Sequence, residues 1–552
     1  MTGFERETRE LILESIREYA RRNLSEERLL EVDENGLFPA EDLRKMYEHD
    51  ELGIHLLLIP REYGGLGASN YDAYRVCEFL ARIDLGIATG IFATFLGLDP
   101  IRVGGTPEQK EKWMRMVADR NLLVAYAATE AEAGSDLGAL KTKAVRVVED
   151  GKLAGYRISG SKQWISNGGI ADIYLVLALV ENGVSWFIVP GDAEGLIKGS
   201  PEDKHGIRAA DTVAFTMDDV FVPAENLVGE VEGLGLSQAQ AVFGYTRLMV
   251  AAFGLGAGSE ALERAVRYSQ DRVQAGSPLC DKQGYTHKLI VPHAVKLAAA
   301  RAYIEHVAHL LDEGSEDLQT EGAIAKYFST NAGNGAAEDA IQALGGYGYV
   351  REYMVEKIKR DVKITQIYEG TNEIMEMTIA RNRWQDHLKS RSTYYHDLSR
   401  EMRDLHEKSP SVGASQMAQA LDALNVIFER CKRQKLTRNQ HTLFKLGELS
   451  AEAEVSMIFC RTAALDRYSE AFPYDREMMR AMSRIQARWA AHRIVHEGIE
   501  LVLGGGSGDV SSMLEETGLE SIISAQRGLL QDMDLVATMI KDVYRSRAGG
   551  AK

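Results

Sequence analysis

The chain has 552 residues, of which 45% are hydrophobic and 26% charged, with 11 prolines; this composition is typical of a folded soluble protein, and the length suggests roughly three or four domains. The formal net charge of −17 argues against binding to nucleic acid, whose phosphates would be repelled. The four cysteines, Cys77, Cys280, Cys431 and Cys460, are far apart in the sequence and suggest neither a disulfide framework nor a zinc site, which favours a reducing cytoplasm.

The first 120 residues are predicted to form a helical domain. They begin with an amphipathic segment, MTGFERETRELILESIREYARRNL, which has neither the apolar core of a signal peptide nor the acid-poor composition of a transit peptide. In GGTPEQKEKW, Thr106 and Gln109 have the spacing of a capping box. This spacing predicts a helix that begins at Pro107.

Residues 121–235 have the pattern of a compact β domain. Runs such as GYRISG, IYLVLALV and VSWFIVP are separated by the turns EDGK and ENGV, which are typical of antiparallel hairpins. The longest apolar run, around YLVLALV, is far shorter than the ~20 residues that a membrane span needs. The region is therefore predicted to be a β domain inserted between helical domains.

Helical periodicity resumes at residue 236 and continues to 388. A further helical domain, 389–552, contains the polar break HEKSPSVGASQ, after which the sequence is again predominantly helical. Within it, residues 425–445 contain six Lys or Arg residues and one acidic residue. With an apolar face made of Leu421, Leu424 and Phe428, this segment could lie on an anionic membrane surface. A solvated helix or loop that crosses the bundle is the simpler interpretation. Cytoplasmic location, with peripheral contact at the inner membrane through 425–445, is thus a hypothesis.

Several common catalytic motifs are missing from the sequence. No G-x-G-x-x-G follows a strand, and there is no G-x-x-x-x-G-K-[ST], H-E-x-x-H or G-x-S-x-G. A Rossmann nicotinamide site, a phosphate-binding loop, zinc-dependent hydrolysis and a serine-hydrolase elbow are therefore disfavoured.

Three remaining signals are ambiguous when each is taken alone. The loop TEAEAGSD, 129–136, could bind an anion or be an ordinary surface turn. Trp164 in KQWISNGG could be a wall beside a flat ring or a buried structural residue. Glu369 in QIYEGTNEI could be a proton acceptor or an ordinary carboxylate at the start of a helix.

Taken together, these motifs resemble the acyl-CoA dehydrogenase family over roughly residues 1–385, in order and spacing. The rest of the chain resembles, more loosely, the extra helical domain of the very-long-chain branch. The motifs that carry the resemblance are PREYGGLG (60–67), GTPEQKEKW (105–113), ATEAEAGSDLGALKTKA (128–144), KQWISNGG (162–169), GIRAADTVAFTMDDVFVPAENLVGE (206–230) and QALGGYGYVREYMVEKIKRDVKITQIYEGTNEI (342–374).

The resemblance implies a mainly α fold with an inserted β domain. Residues 1–120 would form the N-terminal helical domain, 121–235 a middle antiparallel β-barrel, 236–388 a four-helix bundle, and 389–552 an additional helical domain. The additional domain would cover the bundle face through which shorter relatives form tetramers. A homodimer is therefore favoured, with a tetramer as the alternative.

The reaction implied is the FAD-dependent α,β-dehydrogenation of an acyl-CoA thioester to the trans-2-enoyl-CoA. A base removes the α proton, hydride passes to flavin N5, and the electrons go on to electron-transfer flavoprotein. Glu369 matches the family's base, and its main-chain N–H would contact the thioester carbonyl. The family's alternative base position falls on Gly244 or Thr246, neither of which is a carboxylate. The other substrate positions implied are Ser135, Arg247, Tyr368 and Gly370, with Arg381 as a weaker candidate.

The resemblance also implies the residues that contact FAD, which would lie between the β domain and the bundle. Arg272 matches the pyrophosphate-binding arginine. Gln342, Gly345 and Gly346 match the segment that reaches the adenine half of FAD in a neighbouring subunit. The residues matched to the flavin ring and its surroundings are Tyr126, Ala128, Thr129, Gly134, Ser135, Trp164, Ser166, Thr371 and Glu373.

The sequence departs from the family pattern at two places. Ala275 stands where an aromatic residue usually follows the pyrophosphate-binding arginine, which could weaken FAD binding or leave room for another side chain. Ala131 and Glu132 replace the usual proline and small residue in TEAEAGSD. The added carboxylate could alter the docking of CoA or of the electron acceptor.

Two other functions share part of this pattern. An acyl-CoA oxidase has the same motifs but lets oxygen reach the reduced flavin. A flavoprotein that acts as a scaffold or assembly protein would need no active base, and the intact Tyr368-Glu369-Gly370-Thr371 motif argues against it. No metal site is expected. The length and branching of the acyl chain depend on the depth of a cavity that the sequence does not reveal.

Overall fold

The computed structural model describes residues 3–36, 40–315, 317–506 and 509–549. They form two compact units. Unit 1 contains Met1–Met249 and His309–Asp317, and unit 2 contains Val250–Ala308 and Leu318–Lys552. The predicted fold class, mainly helical with an inserted β domain, is confirmed.

Unit 1 begins with helices. The predicted capping box is present, because the Thr106 hydroxyl accepts a hydrogen bond from the Gln109 N–H and the Gln109 side chain accepts one from the Thr106 N–H. The helix begins at Pro107 as predicted and continues through a π-helical turn, Lys110–Met114. The α-helices of this part are α1 Arg6–Asn23, α2 Glu26–Asn35, α3 Ala40–Tyr47, α4 Asn70–Ile83, α5 Leu85–Gly104, α6 Pro107–Gln109 and α7 Arg115–Arg120.

A seven-stranded sheet follows in unit 1. The predicted hairpins are present: Asp150 and Gly151 form a two-residue turn with positive φ at both positions, as Asp-Gly favours, and Val180 pairs with Gly183 around the second turn. The strands are β1 Val124–Ala127, β2 Lys143–Glu149, β3 Lys152–Ser166, β4 Ile173–Val180, β5 Gly183–Pro190, β6 Leu196–Pro201 and β7 Thr212–Pro223.

The sheet differs from the predicted antiparallel barrel. β1 pairs with β4 in parallel, and β2 also meets β4 in parallel at Lys143 and Leu179. Among the described strands, β5 pairs only with β4 and β6 only with β7, so these two strands form the edges of the sheet. Because these edges do not pair with each other, the curled sheet stays open and is not a closed barrel. β4 is buried on both faces, since Leu175 and Leu177 belong to one core cluster and Val176 to another. This double burial explains why its sequence is continuously apolar instead of alternating.

Within the part of the chain that the structure describes, two helices are long and apolar enough, by length and composition alone, to cross a membrane. They are α5 and α8, which spans Gly235–Asp271. The expectation of no such segment considered only uninterrupted apolar runs, whereas glycine and threonine are interspersed in both helices. In each helix 83% of the most apolar window is buried inside the protein, as in the core helices of a globular domain.

Unit 2 consists mainly of helices, with one short hairpin, β8 Val273–Gln274 and β9 Ser277–Pro278. Close packing of α8 on α11 depends on glycine, because a Cβ on Gly333 would collide with the backbone of Gly254. After α8, the helices are α9 Gln283–Leu289, α10 Val291–Asp312, α11 Gln319–Leu344, α12 Gly346–Tyr349, α13 Met354–Val362, α14 Asn372–Lys389, α15 Tyr394–Lys408, α16 Ala414–Arg433, α17 Gln440–Ala464, α18 Arg476–Gly504, α19 Val510–Glu516, α20 Leu519–Ser524 and α21 Leu529–Gly549.

The basic segment 425–445 does not present the apolar face that membrane contact would need. Leu421, Leu424 and Phe428 lie on α16 and are fully buried within unit 2. Since α16 packs against α15 and α18, the apolar side faces other helices and only the polar side faces solvent. The expectation that these three residues form an apolar face open to a membrane was therefore wrong, and peripheral membrane contact through 425–445 stays a prediction.

Candidate active site

In unit 1, the loop that follows β1 is fixed to β3. The Gln163 N–H donates to the Thr129 carbonyl (3.0 Å), and the Lys162 ammonium donates to the Ala128 carbonyl (3.1 Å). Ala128 and Thr129, which the sequence assigned to the flavin, are thereby held next to the segment that carries Trp164. Tyr126 packs its ring on Trp186, and Gly134 and Ser135 lie exposed further along the loop.

A buried ion pair holds this loop in place. Lys162 is fully buried and donates to the Glu130 carboxylate (2.8 Å), which also accepts hydrogen bonds from the N–H groups of Lys141 and Thr142. Burial alone would raise the pKa of Glu130, but the hydrogen bonds from Lys162, Thr142 and Lys141 outweigh it and lower this pKa to about 2. Burial lowers the pKa of Lys162 to about 8.

The pH dependence of stability is expected to show this pair. Because the pKa of Glu130 falls from an ordinary value near 4.5 to about 2 on folding, its contribution is fully present above pH 4.5 and is lost as the pH falls towards 2. The contribution amounts to about 3 kcal/mol, and Lys162 stays protonated throughout this range. The free energy of urea unfolding, measured from pH 7 to pH 3, should therefore exceed that of Glu130→Gln by an amount that shrinks with acidification. A difference independent of pH would contradict this assignment.

Trp164 is exposed at a distortion of β3. The register between β3 and β7 shifts between Lys162 and Ile165, and Trp164 has φ of +55°, a left-handed conformation that is costly for a bulky residue. Its side chain is 59% exposed. The bulge turns a large aromatic face outward beside Thr129, where a flat ring could stack, so the interpretation as a buried structural tryptophan was wrong. Ser166 pairs with Thr212 at the end of the same strand and is partly buried.

Arg247, which the sequence assigned to the substrate, lies on the unit 1 part of α8. It is buried, and its guanidinium lies over the Phe243 ring, 4.9 Å from the centroid. Its role toward CoA stays a prediction.

In unit 2, Glu369 lies on a strained turn directly before α14. Glu369 has φ of +54° and Gly370 has φ of +90°, and a glutamate in the left-handed region is uncommon. α14 begins at Asn372, and the Thr371 hydroxyl caps it by accepting from the Ile374 N–H. The predicted position of Glu369 at the start of a helix is thus confirmed. The positive end of the helix dipole favours its ionised form.

A buried lysine fixes this turn. Lys326, on α11, is fully buried and donates to the carbonyl oxygen of Gly370 at 2.5 Å. The Gly370 carbonyl belongs to the peptide that joins Gly370 to Thr371, so the bond holds the backbone between Glu369 and the start of α14. A single lysine within the apolar run GAIAKYF is the signal that could have identified Lys326 from the sequence.

The other predicted residues of this segment lie on the turn before α14 and on α14 itself. Tyr368 and Gly370 are partly buried beside Glu369. Glu373 is exposed in the first turn of the helix, and Arg381 is exposed two turns further on. Their contacts with cofactor or substrate stay predictions.

Four predicted residues meet at one cavity of unit 2. The cavity has a volume of about 620 Å³ and is lined by Arg272, Gln342, Gly345 and Gly346. Tyrosines supply much of the remaining wall, namely Tyr268, Tyr285, Tyr347 and Tyr353. The volume is within the usual range of ligand sites, roughly 300–1,000 Å³. A guanidinium beside aromatic rings can bind a phosphorylated nucleotide.

The structure accounts for the alanine at position 275. Ala275 and Gly276 form the turn between β8 and β9, and both have positive φ. The Arg272 guanidinium lies over the ring of Tyr347, 5.9 Å from the ring centroid. An aromatic contact is thus present beside Arg272, although it comes from another part of the chain, and the sequence analysis missed it.

Three family models match the chain in succession. They are described as the acyl-CoA dehydrogenase N-terminal domain, residues 6–121, middle domain, residues 125–220, and C-terminal domain, residues 233–383. Together they cover more than half of the chain and leave the region after residue 383 unmatched.

Similar proteins with names of this family match about two thirds of the chain. An acyl-CoA dehydrogenase of Bacillus subtilis is 37% identical over 372 residues, 66% of this chain and 95% of the relative. A cyclohex-1-ene-1-carbonyl-CoA dehydrogenase of Geobacter metallireducens is 36% identical over 381 residues, 68% and 97% respectively.

Solved structures extend the comparison. A chain from a structure of the electron-transferring flavoprotein of Acidaminococcus fermentans superposes with a TM-score of 0.64 and 33% identity over 69% of this chain and 99% of its own. An acyl-CoA dehydrogenase of Bacillus anthracis, complexed with FAD, has a TM-score of 0.83 and 23% identity over 98% of this chain and 96% of its own. Because the superposition with the Bacillus anthracis protein covers nearly the whole chain, that protein shares the fold of this chain, including the helices after residue 383.

Proposed function

The chain belongs to the acyl-CoA dehydrogenase family, and we propose that it catalyses the FAD-dependent α,β-dehydrogenation of an acyl-CoA thioester. The observation that carries the proposal is the placement of Glu369. Glu369 stands on a turn with positive φ, directly before α14, and the carbonyl of the following residue, Gly370, is held by Lys326. A base held in one orientation by its surroundings suits the removal of a specific proton.

Two features of the chain fit FAD. In unit 1, the exposed indole of Trp164 and the adjacent Thr129 suit one face of a flat ring. In unit 2, the cavity lined by Arg272, Gln342 and Gly345 suits the pyrophosphate and adenosine part. When bound, FAD supplies an acceptor for the hydride that leaves the β carbon. We assign the other flavin-contacting residues as the family resemblance implies. The resemblance also assigns Gln342, Gly345 and Gly346 to the adenine half of FAD in a neighbouring subunit, so we propose a homodimer.

The chain's own residues carry out the proton chemistry. Glu369 accepts the α proton, and its main-chain N–H donates to the thioester carbonyl, where negative charge develops as the proton leaves. The N-terminus of α14 stabilises this charge through its dipole. Since the carbonyl gains charge only during the reaction, a donor on the turn that the Lys326–Gly370 hydrogen bond helps to hold acts mainly on the transition state.

The electron acceptor that we propose is electron-transfer flavoprotein. The similarity to a chain in a structure of such a flavoprotein from Acidaminococcus fermentans supports this acceptor. A cytoplasmic location stays part of the proposal. The names of the relatives include a cyclic substrate as well as the general acyl-CoA class, so they favour no single acyl group.

Anaerobic titration of the purified flavoprotein with acyl-CoA thioesters tests the proposal. We expect at least one thioester in a series of butyryl-, octanoyl-, palmitoyl-, isobutyryl- and cyclohexanoyl-CoA to bleach the flavin absorbance and to yield the matching 2-enoyl-CoA. Failure of a broad series to bleach a flavin that dithionite does reduce would contradict it. Rapid peroxide formation after mixing with air would instead identify an oxidase.

A further inference from the structure

The last helix of the C-terminal extension contacts the segment that carries Arg272. The Lys541 ammonium, on α21, pairs with the Asp281 carboxylate at 2.9 Å, and the Gln270 side chain donates to the Lys541 carbonyl at 2.9 Å. One contact thus lies two residues before Arg272 and the other lies nine residues after it. Both ends of the hairpin segment are held by the same residue.

A second contact point, Asp534, lies about two turns before Lys541 on the same face of α21. The Asp534 carboxylate accepts a hydrogen bond from the Gln283 side chain at 2.8 Å, and the His287 ring lies 3.3 Å from it. Gln283 and His287 belong to α9, which directly follows the hairpin. α21 therefore contacts the chain before the hairpin, after it and on the next helix.

The other side of α21 is anchored in the extension itself. Asp532 is buried and accepts hydrogen bonds from Arg488 (2.6 Å) and Arg484 (3.0 Å), both on α18. α18 in turn packs against α16 and α17. The position of α21 is thus set by the helices of the extension, independently of the hairpin.

The hairpin has little structure of its own to fix its position. Its strands are two residues long, and two-stranded ribbons of this kind are marginal in water. Among the residues that the structure describes, no carboxylate forms an ion pair with Arg272, and its guanidinium faces Tyr347 at the cavity described above. The direction of Arg272 therefore depends on how the flanking segments are held.

We propose that α21 is a brace that positions Arg272, so that the C-terminal extension contributes to the binding of the FAD pyrophosphate. Lys541 and Asp534 are positioning residues in this arrangement. The inference rests on the proposed function, because it takes FAD as the ligand of the Arg272 cavity. It gives the extension, which lies beyond the matched family models, a task in cofactor binding.

The test uses the full chain with Asp534→Ala and Lys541→Ala combined. After removal of flavin, FAD is titrated back and its dissociation constant is measured by flavin fluorescence. Loss of two partly exposed contact points is expected to weaken FAD binding by about tenfold. Amide hydrogen exchange in residues 270–283 should also be faster in the variant without FAD, because the hairpin is less constrained.

Two further variants sharpen the result. Glu401→Ala removes an exposed ion pair to Arg461 that joins α15 to α17 within the same extension, and it should leave the dissociation constant unchanged. The charge exchange Lys541→Glu with Asp281→Lys keeps an ion pair at the brace and should restore the affinity that Lys541→Ala loses.

The outcomes separate the two proposals. If the wild-type chain does not bind FAD, the proposed function fails. Amide hydrogen exchange in residues 270–283 still decides whether α21 holds the hairpin. If the wild-type chain binds FAD and the double variant binds it equally well, the brace is overturned and the proposed function stands. Weaker binding in Glu401→Ala to the same extent would also overturn the brace.

Discussion

Glu369→Gln is expected to lower kcat/KM for dehydrogenation by about 10²- to 10⁴-fold, the usual contribution of a general base. Glutamine keeps the size of the side chain and leaves the main-chain N–H in place, but it cannot accept the α proton. The turn with positive φ and the cap of α14 depend on the backbone and on Thr371. The variant should therefore fold and bind FAD as the wild-type chain does.

The matched control for this prediction is Glu376→Gln. Glu376 lies on α14, seven residues after Glu369, and burial followed by the nearby Glu448 raises its pKa to about 7. It is the carboxylate of this helix whose titration could be mistaken for that of the base in a pH–rate profile. We expect Glu376→Gln to remain active and to show which limb of the profile comes from Glu376.

Hydrogen–deuterium exchange at the α carbon of a bound acyl-CoA tests the assignment of Glu369 as the base without measuring turnover. A base that removes the α proton also exchanges it with solvent, so wild-type protein in deuterium oxide should incorporate deuterium at the α carbon of a bound acyl-CoA. Glu369→Gln should lose this exchange and Glu376→Gln should keep it. An active Glu369→Gln protein, or an inactive Glu376→Gln protein, would show that the base is misassigned.

The features that the sequence predicted correctly have local causes. The Asp150-Gly151 turn and the capping box of Thr106 and Gln109 depend on backbone preferences within four residues, and both are present. The position of Glu369 before a helix was likewise evident from the residues around it. The family motifs then supplied a role for Glu369 that no local pattern contains.

The features that the sequence missed depend on contacts between distant segments. The parallel pairing of β1 with β4 leaves no turn signal, because the two strands are separated by a complete hairpin. Leu421, Leu424 and Phe428 form an apolar stripe that is the same whether it packs on lipid or on α15 and α18. Burial of Lys326 and the approach of Tyr347 to Arg272 also follow from tertiary packing, which periodicity does not encode.

Arg383→Met is expected to lower the free energy of unfolding of unit 2 by about 3–5 kcal/mol. Arg383 is buried on α14 and donates two hydrogen bonds to the Glu454 carboxylate on α17, at 2.7 and 2.8 Å, and a third to Glu321 on α11 at 2.7 Å. Burial already raises the pKa of Glu454 even with Arg383 beside it. Without the guanidinium, a buried carboxylate remains with no compensating charge.

The double variant Arg383→Met with Glu454→Gln is expected to recover much of that loss, because removing both charges of a buried pair costs far less than removing one. Urea unfolding followed by circular dichroism measures the four proteins of the cycle. The single variant should also regain stability on acidification, since Glu454 then becomes neutral, whereas the double variant should not. A double variant as unstable as Arg383→Met would mean that packing, and not the ion pair, joins α14 to the extension. If recovery is accompanied by full dehydrogenase activity, the ion pair secures the helix that follows Glu369 without taking part in the proton transfer.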